Sequence, residues 1–362
     1  MALPGRARPA VAQPAYRHAA VLAAGVATGL TVLAACAGCG GTTTGTANTA
    51  GPGLPPAAEP AAAPPLTVRP AGTVRPVGNG PEGVLVDPRD GQVIVALRAR
   101  RLALVGADGP GMVRTVAVPG TARHLQLAGA AGSVLVPGED TDVLAEIDLP
   151  SGRVSGTTRV GRQPHDAADT GVAGRIVVAD ELGSAVSFVA DGREIARLPG
   201  PVQPGGLASA GDGRVGVVDV RGNALYVYDA RSMRQVARLP AGAGPTHAVQ
   251  VGAGRVAVAD TRGNAIEVFS LTGTPRRLAR LPLPGAPYGL AASADGTSLW
   301  VTLTARNELV RLAVDADGTP RRDGPPYPTV RQANSVAVDE TRNRAYVAGA
   351  TSAGTLQTID LR

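Results

Sequence analysis

The stretch VADTRGNAIEVF, residues 258–269, has a near copy 41 positions earlier, VVDVRGNALYVY at residues 217–228. Each holds an Asp at the end of a Val-rich run, a turn built on Arg-Gly-Asn, and then an alternating apolar run. Gly and Asn suit a tight turn that needs left-handed backbone angles, and the Asp can accept hydrogen bonds from that turn. Strand, turn and strand in one short window describe a β-hairpin. The same hairpin at a fixed separation describes a repeat.

Outward from this pair, a turn followed by a small-apolar strand recurs: GPEGVLV at Gly80, GTARHLQLA at Gly120, RQPHDAA at Arg162 and VQPGGLA at Val202. It continues with AGPTHAVQV at Ala243, GAPYGLAAS at Gly285 and RQANSVAV at Arg331. Anchored on Pro81, Ala122, Pro164, Pro204, Pro245, Pro287 and Ala333, the spacings are 41, 42, 40, 41, 42 and 46. Each unit reads as four short strands separated by turns, which is the arithmetic of a propeller blade. Residues are 44% hydrophobic but only 2% aromatic, so the core must be built from Val, Leu and Ala. The expected fold is all-β, a seven-bladed β-propeller with four strands per blade, spanning residues 66–362. The seventh unit stops one strand short, and AGTVRPVG at residues 71–78 aligns with unit ends such as REIARLPG at residues 193–200. An N-terminal strand is therefore expected to pair in the last blade and close the ring, leaving no long open edge.

The first 35 residues read as an export leader. Arg6, Arg8 and Arg17 precede an apolar run over residues 19–35, which ends in Leu-Ala-Ala-Cys at Cys36. That ending resembles the bacterial lipobox, which implies acylation of Cys36 and attachment to the outer face of the cell membrane as a lipoprotein. Cys39 is the only other cysteine, and an acylated Cys36 leaves it without an intramolecular partner. Residues 36–65, rich in Gly and Thr and then Ala and Pro, are expected to form a disordered tether.

The basic pI is not a nucleic-acid signature. Three of the 35 basic residues lie in the leader, and the remaining 32 exceed the 29 acids by three. All are Arg, interspersed with acids, and the aromatic residues that would stack on bases are scarce.

VLAEIDLPSGRVSGTTRVGRQPHDAA, residues 143–168, resembles the YVTN-type propeller repeat, with a strand ending in Asp, a Gly turn, a strand and then Gly-x-x-Pro-His. GPEGVLVDPRDGQVIVALR, residues 80–98, and the stretch at residues 258–269 resemble the related NHL repeat. The resemblance implies an extracytoplasmic, YncE-like seven-bladed propeller. It says little about activity, because one fold hosts many functions.

On a propeller template, the turn before the first strand and the loop between the second and third strands open on one face. The first set places Glu82, Arg123, His124, His165, Asp166, Thr246, His247, Tyr288 and Asn334 around that mouth. The second adds Arg98, Arg100, Arg101, Asp140, Asp180, Glu181, Asp219, Arg221, Asp260, Arg262 and Arg306. His124, His165, Asp166, Asp180, Asp219, Arg221, His247, Asp260, Arg262, Tyr288 and Arg306 are the candidate binding residues of this rim. All three histidines outside the leader fall on it. His124 and His247 occupy equivalent positions three blades apart, which places them on opposite sides of the channel and argues against a shared metal. No cofactor is expected, and a divalent metal is the alternative that the histidines raise. Trp300, in SLWVTL, is expected to pack between blades.

These features point to a monomeric, membrane-anchored interaction module for a protein, peptide or envelope polymer. Two alternatives remain. One is a rim-centred enzyme resembling lactonases of the SMP-30 type or streptogramin lyases, using the histidines and nearby carboxylates. The strand QVIVALR, residues 92–98, lacks the Trp and Asp of the lactonase motif, and the lyase motif is absent. The other is single-stranded nucleic-acid binding, as in YncE-like propellers.

Overall fold

The computed structural model describes residues 53–107, 113–129, 132–149, 151–172 and 174–361. The leader, Cys36 and the first part of the tether lie outside the described residues. Seven antiparallel four-stranded sheets follow one another around a ring. Their innermost strands are Val84–Val86, Gln126–Leu127, Pro164–Asp169, Pro204–Ser209, Pro245–Gln250, Pro287–Ala292 and Ala333–Asp339, which open blades 1 to 7 in order. The repeat anchors begin the innermost strand in blades 3 to 7, so the sequence period is the blade period. Blade 6 carries one extra short strand, Tyr327–Pro328, within the longer final spacing. Among the described residues the only helical turn is Glu181–Gly183, and no helix is long and apolar enough to cross a membrane.

The Val/Ala runs are explained by burial on both faces. In Arg255–Asp260, Val256 and Val258 pack toward blade 4 with Val218, Leu225 and Phe269. Ala257 and Ala259, on the other face, pack toward blade 6 with Leu299, Val301 and Leu303. A strand with two buried faces has no polar side to alternate. Trp300 is 4% exposed between blades 6 and 7, beside Val330, Ala345 and Ile359.

The ring closes as the chain ends imply. Thr73–Pro76 pairs with Thr355–Asp360 of blade 7, Thr73 opposite Thr358 and Pro76 opposite Thr355.

The repeated Asp-x-Arg-Gly-Asn loops are built alike in blades 4 and 5. Asp260 is fully buried and accepts hydrogen bonds from the backbone N–H groups of Ala243, Gly244 and Gly263 at 3.0, 2.8 and 3.0 Å. Asp219 does the same for Val202, Gln203, Arg221 and Gly222. Each carboxylate therefore ties its own hairpin loop to the turn that brings the chain into the blade. The left-handed residues are Asn223 and Asn264, at φ 51° and 50°. Gly263 has another role, because a Cβ there would overlap the Asp260 carboxylate. Gly263→Ala is expected to cost about 2 kcal/mol in urea unfolding through this overpacking, a larger loss than Asn264→Gly.

The expected tether does not extend to residue 65. Residues 54–65 lie along the mouth of the propeller, with Ala58 and Ala63 buried. Composition shows that this segment cannot build a core of its own. It does not bar docking onto a core that already exists.

Candidate functional site

The mouth has an inner group of charged and imidazole side chains and an outer ring of arginines and amides. His124 precedes the innermost strand of blade 2, His165 lies in that of blade 3, and His247 in that of blade 5. They meet on the axis. Nε2 of His124 is 3.1 Å from Nε2 of His247, and the His124 ring centroid is 4.7 Å from that of His165. The expected separation of His124 and His247 is thus corrected: they do face each other from opposite walls, but innermost strands converge and the channel there is only two imidazoles wide.

Hydrogen-bond partners assign the tautomers. The Tyr288 carbonyl can only accept, so His247 Nδ1–H donates to it at 2.9 Å. Burial lowers the His247 pKa to about 4, so the ring is neutral and its Nε2 accepts. His124 Nε2–H is then the donor between the two rings. Burial, with the charges of its neighbours, also holds His124 neutral. Its Nδ1 lone pair is left as an acceptor on the axis.

His165 is in the opposite state. Burial alone would lower its pKa, but Glu181 and Glu139 outweigh that and raise it to about 10. Its Nδ1 lies 2.9 Å from Glu139 Oε1 and 3.2 Å from Glu181 Oε2. Burial would raise Glu181, yet the His165 charge pulls it down to about 2. Gln203 Nε2 donates to Glu181 Oε1 at 2.7 Å, and Gln163 Nε2 to Oε2 at 3.2 Å. Arg123 Nε stands 3.2 Å from Glu139 Oε1. Glu82, with its pKa raised by burial, has Arg98 at 3.7 Å. Glu59 comes from segment 54–65. Partial burial raises its pKa, and it feels Arg123, Glu181, His165 and Glu139. Strongly shifted titratable groups converging at one end of a channel mark a candidate site.

The other rim candidates divide by what they touch. Asp180, Asp219 and Asp260 are fully buried; Asp219 and Asp260 brace their own loops and Asp180 accepts from Ser187 Oγ at 2.6 Å, so they are not rim-facing groups. Asp166 is also buried. It accepts from Leu207 N–H and Gln126 Nε2, both at 3.0 Å, stitching blades 2, 3 and 4 together, and burial pushes its pKa up to about 6. Tyr288 packs edge-on against His247 with centroids 4.2 Å apart. Arg306 is exposed and pairs with Glu308 at 3.2 Å.

Arg221 and Arg262 instead hold segment 54–65. Arg221 donates to the carbonyls of Leu54 and Pro55, and Arg262 to that of Pro56. Farther round, Gln332 Nε2 donates to Ala61 O, Asn307 Nδ2 to Pro64 O, and Arg331 to both Ala63 O and Pro64 O. Ala61 N–H donates to Thr304 Oγ1, and Ala63 N–H to Gln332 Oε1. The segment therefore runs over the loops of blades 4, 5, 6 and 7 in turn.

The sequence reading overlooks Glu139, Gln163, Gln203 and Glu59 in the inner group, and Thr304, Asn307, Arg331 and Gln332 in the outer ring. Glu139 and Glu181 both directly follow the end of the second strand, one blade apart, and no other blade has an acid there. That alignment would have found them.

No family model matches the chain, and no curated protein sequence does either. Solved structures of the same fold do. Virginiamycin B lyase from Staphylococcus aureus is 17% identical with a TM-score of 0.64, covering 80% of this chain and 99% of that one. The WD40 repeats of RRP9 are 10% identical with a TM-score of 0.70, covering 81% and 99%. A chain of the mitotic checkpoint complex is 15% identical with a TM-score of 0.68, covering 84% and 98%. At these identities the likeness establishes the seven-bladed propeller and nothing finer.

Proposed function

We propose that this protein is an exported, lipid-anchored interaction module whose axial face holds an extended, proline-rich polypeptide. The leader and Cys36 support export and anchoring, and the YVTN-like repeats support an extracytoplasmic setting. One observation carries the binding assignment: this face already grips such a segment, residues 54–65, through its backbone. A segment with Pro at 55, 56, 60, 64 and 65 lacks N–H groups at those positions. Its carbonyls are most of what a partner can read, and Arg221, Arg262, Asn307, Arg331 and Gln332 are donors placed to read them. Proline also restricts the free segment, so less entropy is lost on docking.

The test uses a chain lacking residues 37–65, checked for its fold by circular dichroism, and a labelled synthetic peptide of residues 53–66. Fluorescence anisotropy is expected to give a Kd of about 100 µM or tighter. Binding should weaken at least tenfold in Arg331→Ala and Arg221→Ala, and the intact chain should bind far less. A folded, strapless chain that ignores the peptide would sink the assignment.

The His124 lone pair beside a charged His165 favours a second reading, a lyase- or hydrolase-type centre. It predicts conversion of quinupristin, the compound held by an inactive virginiamycin B lyase of the same fold, followed by mass spectrometry and lost in His124→Ala. The binding module predicts no turnover.

A further inference from the structure

The geometry points to a divalent-cation site formed by Glu139, His165 and Glu181, taking Mn²⁺ or Zn²⁺, whose ligands all come from the propeller itself. Three observations carry it.

Two carboxylates converge on a single nitrogen. His165 Nδ1 has Glu139 Oε1 at 2.9 Å and Glu181 Oε2 at 3.2 Å, and the three donor atoms lie within 4.8 Å of one another. One N–H points along one line and serves two acceptors poorly, whereas a metal ion bonds each donor along its own direction. Metal–ligand bonds of about 2.1 Å place neighbouring ligand atoms about 3.0 Å apart in an octahedron and about 3.4 Å apart in a tetrahedron. The 3.2 Å edge falls between these values, and the 2.9 Å edge lies within about 0.1 Å of the octahedral one.

The donors are also braced. Gln203 fixes the far oxygen of Glu181 from behind, while Gln163 reaches its near oxygen, Oε2, and Arg123 the near oxygen of Glu139, Oε1. Outer contacts of this kind orient ligands in metal sites. Glu181 and His165 are 8% and 9% exposed, so the donors are shielded from competing water.

Charge then closes. Glu82 has Arg98 as its own partner, leaving Glu59, Glu139 and Glu181 around Arg123 and His165. With a neutral, metal-bound imidazole the group is two negative charges in excess, which a dication balances. One imidazole with two carboxylates is a donor set for borderline to hard divalent ions. His124, against the His165 ring, adds an acceptor nitrogen with no hydrogen-bond partner among the described residues.

Isothermal titration of the intact mature chain with MnCl₂ and, separately, ZnCl₂ tests this. At least one ion is expected to bind one per chain with a Kd of about 10 µM or tighter. Glu181→Gln is expected to weaken binding at least a hundredfold. Gln203→Ala, which touches no metal, should weaken it roughly ten- to a hundredfold. Glu340→Gln, an exposed acid in blade 7, should bind as the parent does. No saturable heat with either ion overturns the site, as does unchanged binding in Glu181→Gln and Gln203→Ala. If Glu181→Gln does not fold, Gln203→Ala decides. The strap stays in place throughout, so failure leaves the peptide reading standing.

Discussion

Removing residues 73–77 is expected to abolish cooperative unfolding of the propeller. The deletion takes out the outer strand of blade 7, which no other described segment replaces. It also removes Val77, 4% exposed and packed with Val93, Leu97, Tyr346 and Leu356, and worth roughly 1.5–3 kcal/mol of burial. The ladder with residues 355–358 goes too, at about 0.5–1.5 kcal/mol for each hydrogen bond. A further loss is less visible. The Gln357 amide is fully buried, donating to Ala71 O at 2.8 Å and Pro328 O at 3.0 Å while accepting from Val330 N–H. Moving the chain at residue 71 strips part of that pairing, at about 1–3 kcal/mol for a buried group left unmade. Together these exceed about 5 kcal/mol, comparable with the whole stability of many domains. Thermal melts followed by circular dichroism read the outcome. A deletion variant that melts cooperatively within about 5 °C of the parent would mean that the ring does not depend on this strand.

Why the fold was legible and the site only partly so follows from where each is encoded. Hairpin turns are local features, the blade period is a repeat of them, and the missing seventh outer strand shows as a unit one strand short with a matching segment at residues 71–78. The Asp-x-Arg-Gly-Asn pair at residues 219–223 and 260–264 shows this best, because turn chemistry and strand alternation agree there. The site depends on distances that no window contains. His124 and His247 are correctly placed three blades apart, yet blade count does not reveal how narrow the channel is. Glu139 is hidden because blade 2 has Gly138 where blades 3, 4 and 5 have Asp, which blurs the alignment just at that loop. Docking of residues 54–65 is least legible of all. Its signal is not in the Pro/Ala segment but in Arg221, Arg262, Asn307, Arg331 and Gln332, some 170 to 270 positions later, and these read carbonyls that any residue would supply.

Within one loop, Asp260→Ala and Arg262→Ala are expected to fail in opposite ways. Asp260→Ala leaves the N–H groups of Ala243, Gly244 and Gly263 facing a cavity, with no acceptor in a fully buried position. The expected loss in urea unfolding is about 3 kcal/mol or more, given about 1–3 kcal/mol for each buried donor left unmade. Asp260→Asn keeps one carbonyl oxygen and is expected to cost about 1 kcal/mol, the difference between a charge-assisted and a neutral acceptor. Asp219 repeats the arrangement one blade earlier, and the same order of losses is expected there. Arg262 is exposed and reaches Ala243 O at 3.2 Å and Pro56 O at 2.8 Å. Its loss should change stability by no more than about 0.5 kcal/mol, as for an ordinary surface position, while weakening capture of the 53–66 peptide by the strapless chain. Parent-like urea unfolding in Asp260→Ala would show that the carboxylate does not brace the loop. A fall of several kcal/mol in Arg262→Ala would show that the arginine belongs to the scaffold rather than to the peptide-holding ring. The opposite pattern, with stability lost only at the acid and binding only at the arginine, assigns one residue of the repeated loop to the fold and its neighbour to the face.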